Sequence, residues 1–333
     1  MRVVVTGASG NVGTSLLRAL GAADEVDEIV GVARRRPSGA FAKTEWRTAD
    51  VELDDLTPIF RGADCVVHLA WAIQPSHELA ALRRTNVMGS ERVFRAVADA
   101  GVPALVHASS VGAYSPGPKE RPVDESWPTD GTPTSFYARH KAEVERLLDR
   151  FQLEQAETRV ARLRPGLIFK RSSAEEQRRY FLGPFFPRSL ARLGARAVVP
   201  DIDGLRVQAV HTSDVAEAYR LAVVGDARGA FNVAADPVLD ARTLARALGA
   251  RVVPVPRAAA RAAMDATWRA RLQPTPPGWL DMGLAVPIMD TTRAREELGW
   301  VPRRSSLEAI RDVLSGMADA EGEPTPPLEP ARR

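Results

Sequence analysis

A tyrosine and a lysine stand four residues apart in the segment Tyr137-Ala138-Arg139-His140-Lys141, within the predicted helix Phe136–Phe151. Residues four apart share one face of a helix, so the phenol and the ammonium group are expected to be neighbours. A free phenol has a pKa of about 10, and a nearby cation lowers that pKa because it stabilises the phenolate. The pair therefore predicts proton exchange between Tyr137 and a carbonyl or alcohol oxygen while a hydride moves to or from a cofactor.

A second polar group follows the predicted strand Ala104–Ala108, which leads directly into Ser109-Ser110. Active sites of parallel sheets form at the carboxyl ends of the strands, beside the cofactor crevice. A serine hydroxyl at this position can donate a hydrogen bond to the substrate oxygen while Tyr137 transfers the proton.

The first predicted strand, Arg2–Thr6, leads into Thr6-Gly7-Ala8-Ser9-Gly10-Asn11-Val12-Gly13, where a helix begins. Glycines at this spacing allow a tight turn, close approach of the backbone to a diphosphate, and close packing of helix on strand. The free N–H groups and partial positive charge of the helix N-terminus then face the phosphates. The loop therefore predicts a dinucleotide site that includes Gly7, Ser9, Gly10, Asn11, Val12 and Gly13.

The choice of nucleotide is made about 20 residues further on, after the second predicted strand, Glu28–Ala33. An acidic residue there binds the ribose hydroxyls of NAD and repels a 2′-phosphate, but this chain has Arg34-Arg35-Arg36. Arginine can pair bidentately with a phosphate, so the sequence favours NADP(H) over NAD(H), with Arg34 at the 2′-phosphate. The alternative is three solvated arginines on an arginine-rich surface.

The elements that must hold these residues alternate along the first half of the chain, with short β-branched runs between longer helical stretches. This alternation predicts parallel strands joined by crossover helices, hence an α/β fold with a Rossmann-type, doubly wound parallel sheet. The remaining predicted strands are Asp64–Ala70, Arg159–Leu163 and Arg206–His211, and the remaining helices are Val12–Leu20, Leu53–Phe60, Leu79–Ala100 and Ser213–Val224.

These elements predict three regions. The dinucleotide-binding domain should cover residues 1–165, and a strand and helix within about 205–233 should return to its sheet. Residues 166–204 and 234–320 should form a smaller, mostly helical substrate-binding lobe. The proline-rich tail, 321–333, is expected to be disordered.

The composition of the 333-residue chain excludes several classes of protein. Its 45 Lys and Arg against 42 Asp and Glu leave a net charge of +3, too balanced for a main partner that is nucleic acid. The single cysteine, Cys65, excludes an internal disulfide and a cysteine-based zinc site, and the histidines show no metal-ligand spacing. We expect a cytoplasmic protein, because the sequence has neither a membrane-spanning apolar run nor a signal peptide.

Taken together, these features resemble the extended short-chain dehydrogenase/reductase superfamily, of the NAD(P)-dependent epimerase/dehydratase type. The resemblance covers most of the chain and depends on an ordered series of motifs. They are the glycine loop, Asp50-Val51, His68-Leu69-Ala70-Trp71, Asn86-Val87-Met88-Gly89, Ser109-Ser110, Tyr137-x-x-x-Lys141, Arg164-Pro165-Gly166, Val210-His211-Thr212-Ser213-Asp214-Val215-Ala216 and Leu298-Gly299-Trp300-x-Pro302.

The resemblance implies a role for each matching residue. Tyr137 would be the acid/base, Lys141 would hold the nicotinamide ribose and tune Tyr137, and Ser110 would polarise the substrate oxygen. Ser110 fits better than Ser109 because it stands four residues before Tyr114. The implied cofactor contacts are Asp50 and Val51 at the adenine, Leu69, Ala70 and Trp71 at the nicotinamide, and Pro165 and Asn86 nearby, Asn86 being equally consistent with a structural role.

Departures from the superfamily narrow the reaction. Its dehydratases follow the catalytic hydroxyl residue with Asp-Glu, where this chain has Val111-Gly112, which argues against water elimination. Its epimerases often carry Arg-x-x-Asn-x-Tyr-Gly-Pro, whereas Arg164-Pro165-Gly166 is more similar to dihydroflavonol-reductase-like and hydroxysteroid-dehydrogenase-like members. The sequence thus favours a carbonyl reductase or alcohol dehydrogenase. A nucleotide-sugar epimerase with tightly held NAD and a non-catalytic dinucleotide sensor remain alternatives.

The substrate and the assembly are described only coarsely by the sequence. The segment Gly166–Gly204 predicts either a substrate pocket with a basic rim or a lobe core with solvated arginines. Helices Leu79–Ala100 and Phe136–Phe151 commonly pair across a twofold axis in this superfamily, which implies a possible homodimer. The aromatic and basic residues of the segment are Phe169, Tyr180, Phe181, Phe185, Phe186, Lys170, Arg171, Arg178, Arg179 and Arg188.

Overall fold

The computed structural model describes residues 1–74, 77–182 and 198–329. The strands in these ranges are β1 (Arg2–Thr6), β2 (Glu28–Ala33), β3 (Thr44–Thr48), β4 (Cys65–His68), β5 (Ala104–Ala108), β6 (Pro122–Val123), β7 (Arg159–Pro165), β8 (Leu167–Phe169), β9 (Val198–Asp201), β10 (Val207–His211), β11 (Gly229–Val233), β12 (Ala235–Leu239), β13 (Arg251–Pro254) and β14 (Ile288–Met289). The helices are α1 (Asn11–Gly21), α2 (Thr57–Phe60), α3 (Leu79–Arg83), α4 (Gly89–Asp99), α5 (Phe136–Glu154), α6 (Ala174–Gln177), α7 (Thr212–Val224), α8 (Ala241–Leu248), α9 (Arg257–Arg269), α10 (Gly278–Ala285), α11 (Thr292–Leu298) and α12 (Ser306–Asp319).

Seven strands form one parallel sheet in the order β11-β7-β5-β4-β1-β2-β3. In its centre Val4 pairs with Val30 on one side and Val66 on the other, and all three are buried. Such apolar runs are expected of parallel strands, because helices cover both faces. The strand order reverses beside β1, so a crevice opens outside the carboxyl ends of β1 and β4. The predicted doubly wound α/β fold is confirmed.

The two faces of the sheet are covered by different helices. On one face, Leu16 and Leu17 of α1 pack in the same core as Tyr219 of α7. On the other, Phe94 of α4 and Leu148 of α5 belong to a second core over the same strands. Because α5 packs against the sheet in its second half, its first turns lie beside the carboxyl ends of the strands.

The strand predicted to return to the main sheet, Arg206–His211, does not join it. It forms β10, which pairs with β8 and β12 in a separate three-stranded sheet. The edge of the main sheet is instead β11, whose Phe231 and Val233 are fully buried against β7. The helix of the predicted return, α7, does pack on α1.

The tail predicted to be disordered is packed as far as residue 329. Leu328 is fully buried, and the Glu323 carboxylate lies 2.7 Å from Lys170 Nζ and 2.9 Å from Arg18. Two contacts therefore hold the segment: the Glu323 carboxylate binds two cations, and the Leu328 side chain is buried. Composition alone reveals neither contact. Residues 330–333 and the predicted pocket residues Phe185, Phe186 and Arg188 lie outside the described residues.

Two smaller features differ from the sequence-based expectation. The predicted helix Leu53–Phe60 is reduced to the four residues of α2. The predicted helix Leu79–Ala100 contains a π-helical turn, Arg84–Met88, between α3 and α4. C-terminal to β12 the described chain is mostly helical, with the short strands β13 and β14.

In the described part of the chain, a helix with the length and apolarity needed to cross a membrane is absent.

Candidate active site

The glycine loop after β1 has the shape that a dinucleotide diphosphate requires. A Cβ atom on Gly7 would lie 2.6 Å from Ala70 N, and one on Gly13 would lie 2.5 Å from Gly7 O, so both positions exclude side chains. A Cβ on Gly10 would meet only Gly7 O, at 3.4 Å, so its open side leaves room beside the N-terminus of α1. The loop therefore fits a diphosphate at this helix end.

The other predicted residues of this loop have distinct surroundings. Ser9 is buried, and Val12 packs against the core beneath α1. The Asn11 side chain accepts a hydrogen bond from Thr212 Oγ1 at 3.2 Å, which ties the start of α1 to the start of α7.

The segment after β4 lies directly against the glycine loop. A side chain at Gly7 would collide with the backbone of Leu69 and Ala70, which shows that these two residues contact the glycine loop. Asn86, in the π-helical turn, binds the next part of this segment, because its amide accepts from Ala72 N at 2.7 Å and donates to Ala72 O at 3.0 Å. Asn86 therefore acts on the site through the backbone that carries Trp71.

Residues predicted to lie near the adenosine end of a cofactor occupy the ends of β2 and β3. Arg34 is exposed beyond β2. The Asp50 carboxylate accepts from Glu52 N at 2.9 Å within its own turn, and Val51 is buried, 3.0 Å from where a Cβ on Gly89 would be. These residues lie on the far side of the crevice from the Tyr137 group.

Ser110 and Tyr137 are brought together at the end of β5. The Tyr137 ring lies against the turn that Ser110 starts, where Ser110 Oγ accepts from Gly112 N at 3.0 Å, and the Ser110 side chain acts to lower the pKa of Tyr137. Ser109 points elsewhere, because its hydroxyl donates to Glu145 Oε1 at 2.5 Å. Gly112 allows the close approach of this turn, since a Cβ there would lie 2.9 Å from the Tyr137 ring.

The Lys141 ammonium group contacts a backbone oxygen and an indole ring. Its ammonium group donates to Ala108 O at 2.7 Å and lies 3.4 Å from the centroid of a Trp71 ring. It is 5.9 Å from the centroid of the Tyr137 ring. Trp71 also meets the Tyr137 ring edge-on at 6.0 Å, so the indole contacts both residues of the predicted pair.

The protonation of the pair differs from the sequence-based expectation. Burial raises the pKa of Tyr137 to about 12, and the nearby Ser110 side chain opposes this effect only in part. Burial also lowers the pKa of Lys141 to about 7, against the charge of Glu145. In this arrangement burial dominates the pKa of Tyr137, and Lys141 does not offset it. The phenol keeps its proton at neutral pH and is suited to donate it.

Beneath Ser109 lies a buried ion-pair network that the sequence analysis missed. The Glu145 carboxylate binds Arg164 through two hydrogen bonds, of 2.9 and 3.0 Å, and binds Arg162 Nη1 at 2.7 Å. Arg164 continues to the Tyr114 hydroxyl at 3.0 Å. The spacing of Glu145, four residues after Lys141, puts it on the face of α5 that carries the predicted pair and was an available signal.

Pro165, next to Arg164, is buried at the end of β7 and pairs with Val233.

The comparisons with known proteins agree with this architecture. The sequence model of the NAD dependent epimerase/dehydratase family matches residues 3–234. An uncharacterized protein of Mycobacterium tuberculosis, Rv0501, is 28% identical over 340 residues, covering 94% of this chain and 83% of its own length. The 4-hydroxy-2-methyl-3-oxo-4-farnesyl-3,4-dihydroquinoline-1-oxide ketoreductase of Stigmatella aurantiaca is 30% identical over 161 residues, 44% of this chain and 45% of its own.

A solved structure with the same fold is that of the UDP-glucose 4-epimerase of Thermus thermophilus in complex with NAD. It matches with a TM-score of 0.68 and 21% identity, over 96% of this chain and 100% of its own.

Proposed function

The chain belongs to the NAD-dependent epimerase/dehydratase family, and we propose that it is an NADP(H)-dependent carbonyl reductase or alcohol dehydrogenase of a small molecule. The observation that carries this proposal is the placement of the buried Tyr137 phenol against the turn of Ser110 and Gly112 at the carboxyl end of β5. A buried phenol that retains its proton, beside a serine hydroxyl, is the donor that reduction of a carbonyl requires.

When bound, the nicotinamide supplies the hydride, and with it two electrons, to the carbonyl carbon and is itself oxidised. Ser110 polarises the substrate oxygen, and Tyr137 donates its phenolic proton to that oxygen, which completes the alcohol. Lys141, one helical turn from Tyr137, is held at the end of β5 by its hydrogen bond to Ala108 O and would bind the nicotinamide ribose. Oxidation of an alcohol is the reverse, with Tyr137 recovering the proton.

The residues of the crevice support the predicted cofactor contacts. Gly7, Gly10 and Gly13 leave a space that would hold the diphosphate, and Leu69, Ala70 and Trp71 would border the nicotinamide. At the other end, Arg34 is exposed after β2, where a 2′-phosphate would lie, which favours NADP(H) over NAD(H). Asp50 and Val51 line the adenine side in this proposal.

A nucleotide-sugar epimerase is the second candidate, because the family and the Thermus neighbour include that activity. An epimerase regenerates its cofactor in each cycle and consumes none. The ketoreductase similarity to the Stigmatella protein favours net reduction instead. The nucleotide content of the purified protein and the consumption of NADPH separate the two.

The test is to follow NADPH oxidation by the purified protein with a panel of ketones and aldehydes. We expect turnover that falls about 10²–10⁴-fold in Tyr137→Phe, which is the contribution of general acid catalysis. The dissociation constant for NADPH, measured by calorimetry, should change less than about twofold and is the control. Undiminished turnover in Tyr137→Phe would contradict the proposal, as would release of stoichiometric NAD from denatured protein that never consumes NADPH.

A further inference from the structure

The Tyr137 ring is covered by residues from a distant part of the chain. Trp279, at the start of α10, lies 5.0 Å from the Tyr137 ring at an angle of 33°. Phe181 meets Trp279 edge-on at 5.0 Å, and Met282 Sδ approaches the same turn, 3.0 Å from where a Cβ on Gly112 would lie. We call Phe181, Trp279 and Met282 the apolar wall.

This wall is fixed relative to Tyr137 by the way α10 begins. A Cβ on Gly278 would lie 2.4 Å from Thr134 O, so only glycine lets α10 start this close to the N-terminus of α5. Ser135 caps α5 and also contacts Met282 Sδ at 3.9 Å. The wall and the phenol therefore belong to one rigid arrangement, as a binding surface for a defined substrate requires.

The wall contains a polar atom whose partner is missing. Trp279 Nε1 is buried and has no hydrogen-bond partner within residues 1–74, 77–182 and 198–329. Native proteins leave few buried donors unsatisfied, because each unpaired donor loses its hydrogen bonds to water without replacement, so such an atom at a site points to an absent ligand. An indole N–H can only donate, and its partner must therefore be an acceptor oxygen or nitrogen.

We propose that the substrate is a flat aromatic ketone with a second acceptor oxygen near the reacting carbonyl. Its ring packs on Trp279 and Met282, its carbonyl meets Tyr137 and Ser110, and its second oxygen accepts from Trp279 Nε1. The proposal rests on the proposed function, since it names the substrate class for that reaction. Sugar hydroxyls would each need an acceptor as well as a donor, which indole and thioether side chains do not provide.

Two α-keto esters that differ in one group test this proposal. Ethyl benzoylformate carries a phenyl ring where ethyl pyruvate carries a methyl group. We expect kcat/KM with NADPH to be about 50-fold higher for the aromatic ester, as burial of an aromatic side chain predicts. Comparable values for the two esters, in an enzyme that reduces both, would overturn the substrate class and leave the proposed function intact.

Variants of the wall assign the preference to Trp279. Trp279→Leu should reduce the ratio of the two kcat/KM values to below about 5 by raising KM for the aromatic ester, and Trp279→Phe should give an intermediate ratio. Trp46→Phe is the matched control, because Trp46 Nε1 is also buried without a partner in the described chain but lies on β3. A ratio that is unchanged in Trp279→Leu would refute the role of the wall.

Failure of the proposed function is recognised separately. If NADPH binds but neither ester is reduced, the reductase proposal fails, and calorimetric binding of ethyl benzoylformate to the NADP⁺ complex still tests the wall. Binding that is weakened at least about tenfold in Trp279→Leu supports the aromatic ligand class. Absence of binding, or tighter binding of UDP-glucose than of the ester, overturns it.

Discussion

The ammonium group of Lys141 lies 3.4 Å from the centroid of a Trp71 ring, within the contact distance of a cation–π interaction. Its hydrogen bond to Ala108 O holds it at the end of β5. The charge of the lysine is thus enclosed between an indole face and a backbone carbonyl rather than exposed to water. This enclosure accounts for a pKa near neutrality, and it has a measurable effect on stability.

The first prediction concerns the stability of Lys141→Met as a function of pH. The pKa of Lys141 is about 10.5 in the unfolded chain and about 7 in the folded protein. Burial of the charged lysine therefore lowers the free energy of unfolding at and below pH 7, and this loss is recovered as the pH rises from 7 towards 10.5. The variant should therefore be more stable than the wild type at pH 7, by at most about 5 kcal/mol, and the difference should shrink by about pH 9.5. Urea unfolding at both pH values measures it. Lys43→Met, at an exposed position, is the control, and a pH-independent difference would contradict the assignment.

The second prediction concerns the choice of cofactor. Arg34→Ala should raise the dissociation constant for NADPH about 10–100-fold, because it removes a charge-assisted contact, and should change that for NADH less than about twofold. Calorimetric titrations with both nucleotides measure the effect. Arg47→Ala, at another exposed arginine on the neighbouring strand β3, is the control. Equal losses for NADPH and NADH would remove Arg34 from the 2′-phosphate site.

The third prediction concerns the buried carboxylate of Glu145. Burial alone would raise its pKa, but Arg164 and Arg162 lower it to about 2. Glu145→Gln leaves the buried Arg164 guanidinium without its counter-charge, although Arg162 keeps Asp149 at 2.6 Å, and should reduce the free energy of unfolding by about 3–5 kcal/mol. Glu143 lies on the same helix as Glu145 and forms a partly exposed ion pair with Arg83. Glu143→Gln should therefore reduce the free energy of unfolding by less than about 1 kcal/mol. Similar losses in the two variants would argue against the network.

The fourth prediction tests the packing of the tail. Hydrogen bonds and charge from Arg18 and Lys170 outweigh burial and lower the pKa of Glu323 to about 2, so this stabilisation is present above pH 4.5 and is lost as pH falls towards 2. Glu323→Gln should cost about 2 kcal/mol at pH 7 and less than half of that at pH 3, as thermal unfolding will measure. Glu321→Gln, at a half-exposed ion pair with Arg171, is the control. A tail that is free in solution would give no difference between the two variants.

The fifth prediction concerns assembly. We propose that α4 and α5 form a twofold interface, because Met88 is 47% exposed at the end of the π-helical turn and borders a groove between these helices. Met88→Glu should shift a dimer towards the monomer in light scattering, since it places like charges at the symmetry contact. Val301→Glu, at a 63% exposed valine next to Trp300 on the opposite face of the sheet from α4, should leave the mass unchanged. A wild-type monomer at micromolar concentration would refute the interface.

The sequence could predict what depends on local pattern. Uninterrupted apolar runs predict strands with both faces covered, and β2 and β5 begin and end where that pattern does. Glycine spacing predicts the loop after β1 because Gly7 and Gly13 satisfy steric limits that no other residue meets. These features need no information about distant parts of the chain.

The sequence could not predict contacts that depend on packing between distant segments. Trp279 carries no local mark of its contact with Tyr137, since α10 reaches that ring only through the fold of the lobe. The lowered pKa that a Tyr-Lys spacing suggests depends on where the ammonium group points, and Trp71 and Ala108 determine that. Likewise, proline content describes the tail but not the burial of Leu328.

The bond between Arg18 and Glu323 joins positions 305 residues apart, and this affects how the protein is made. At about 5–20 residues per second, a ribosome needs about 15–60 s to travel from one to the other. During that interval the first helix has emerged while the segment that covers it does not yet exist. A nascent chain is therefore expected to expose the Lys170 and Arg18 cations until the last stage of synthesis, when the carboxylate arrives and closes the molecule.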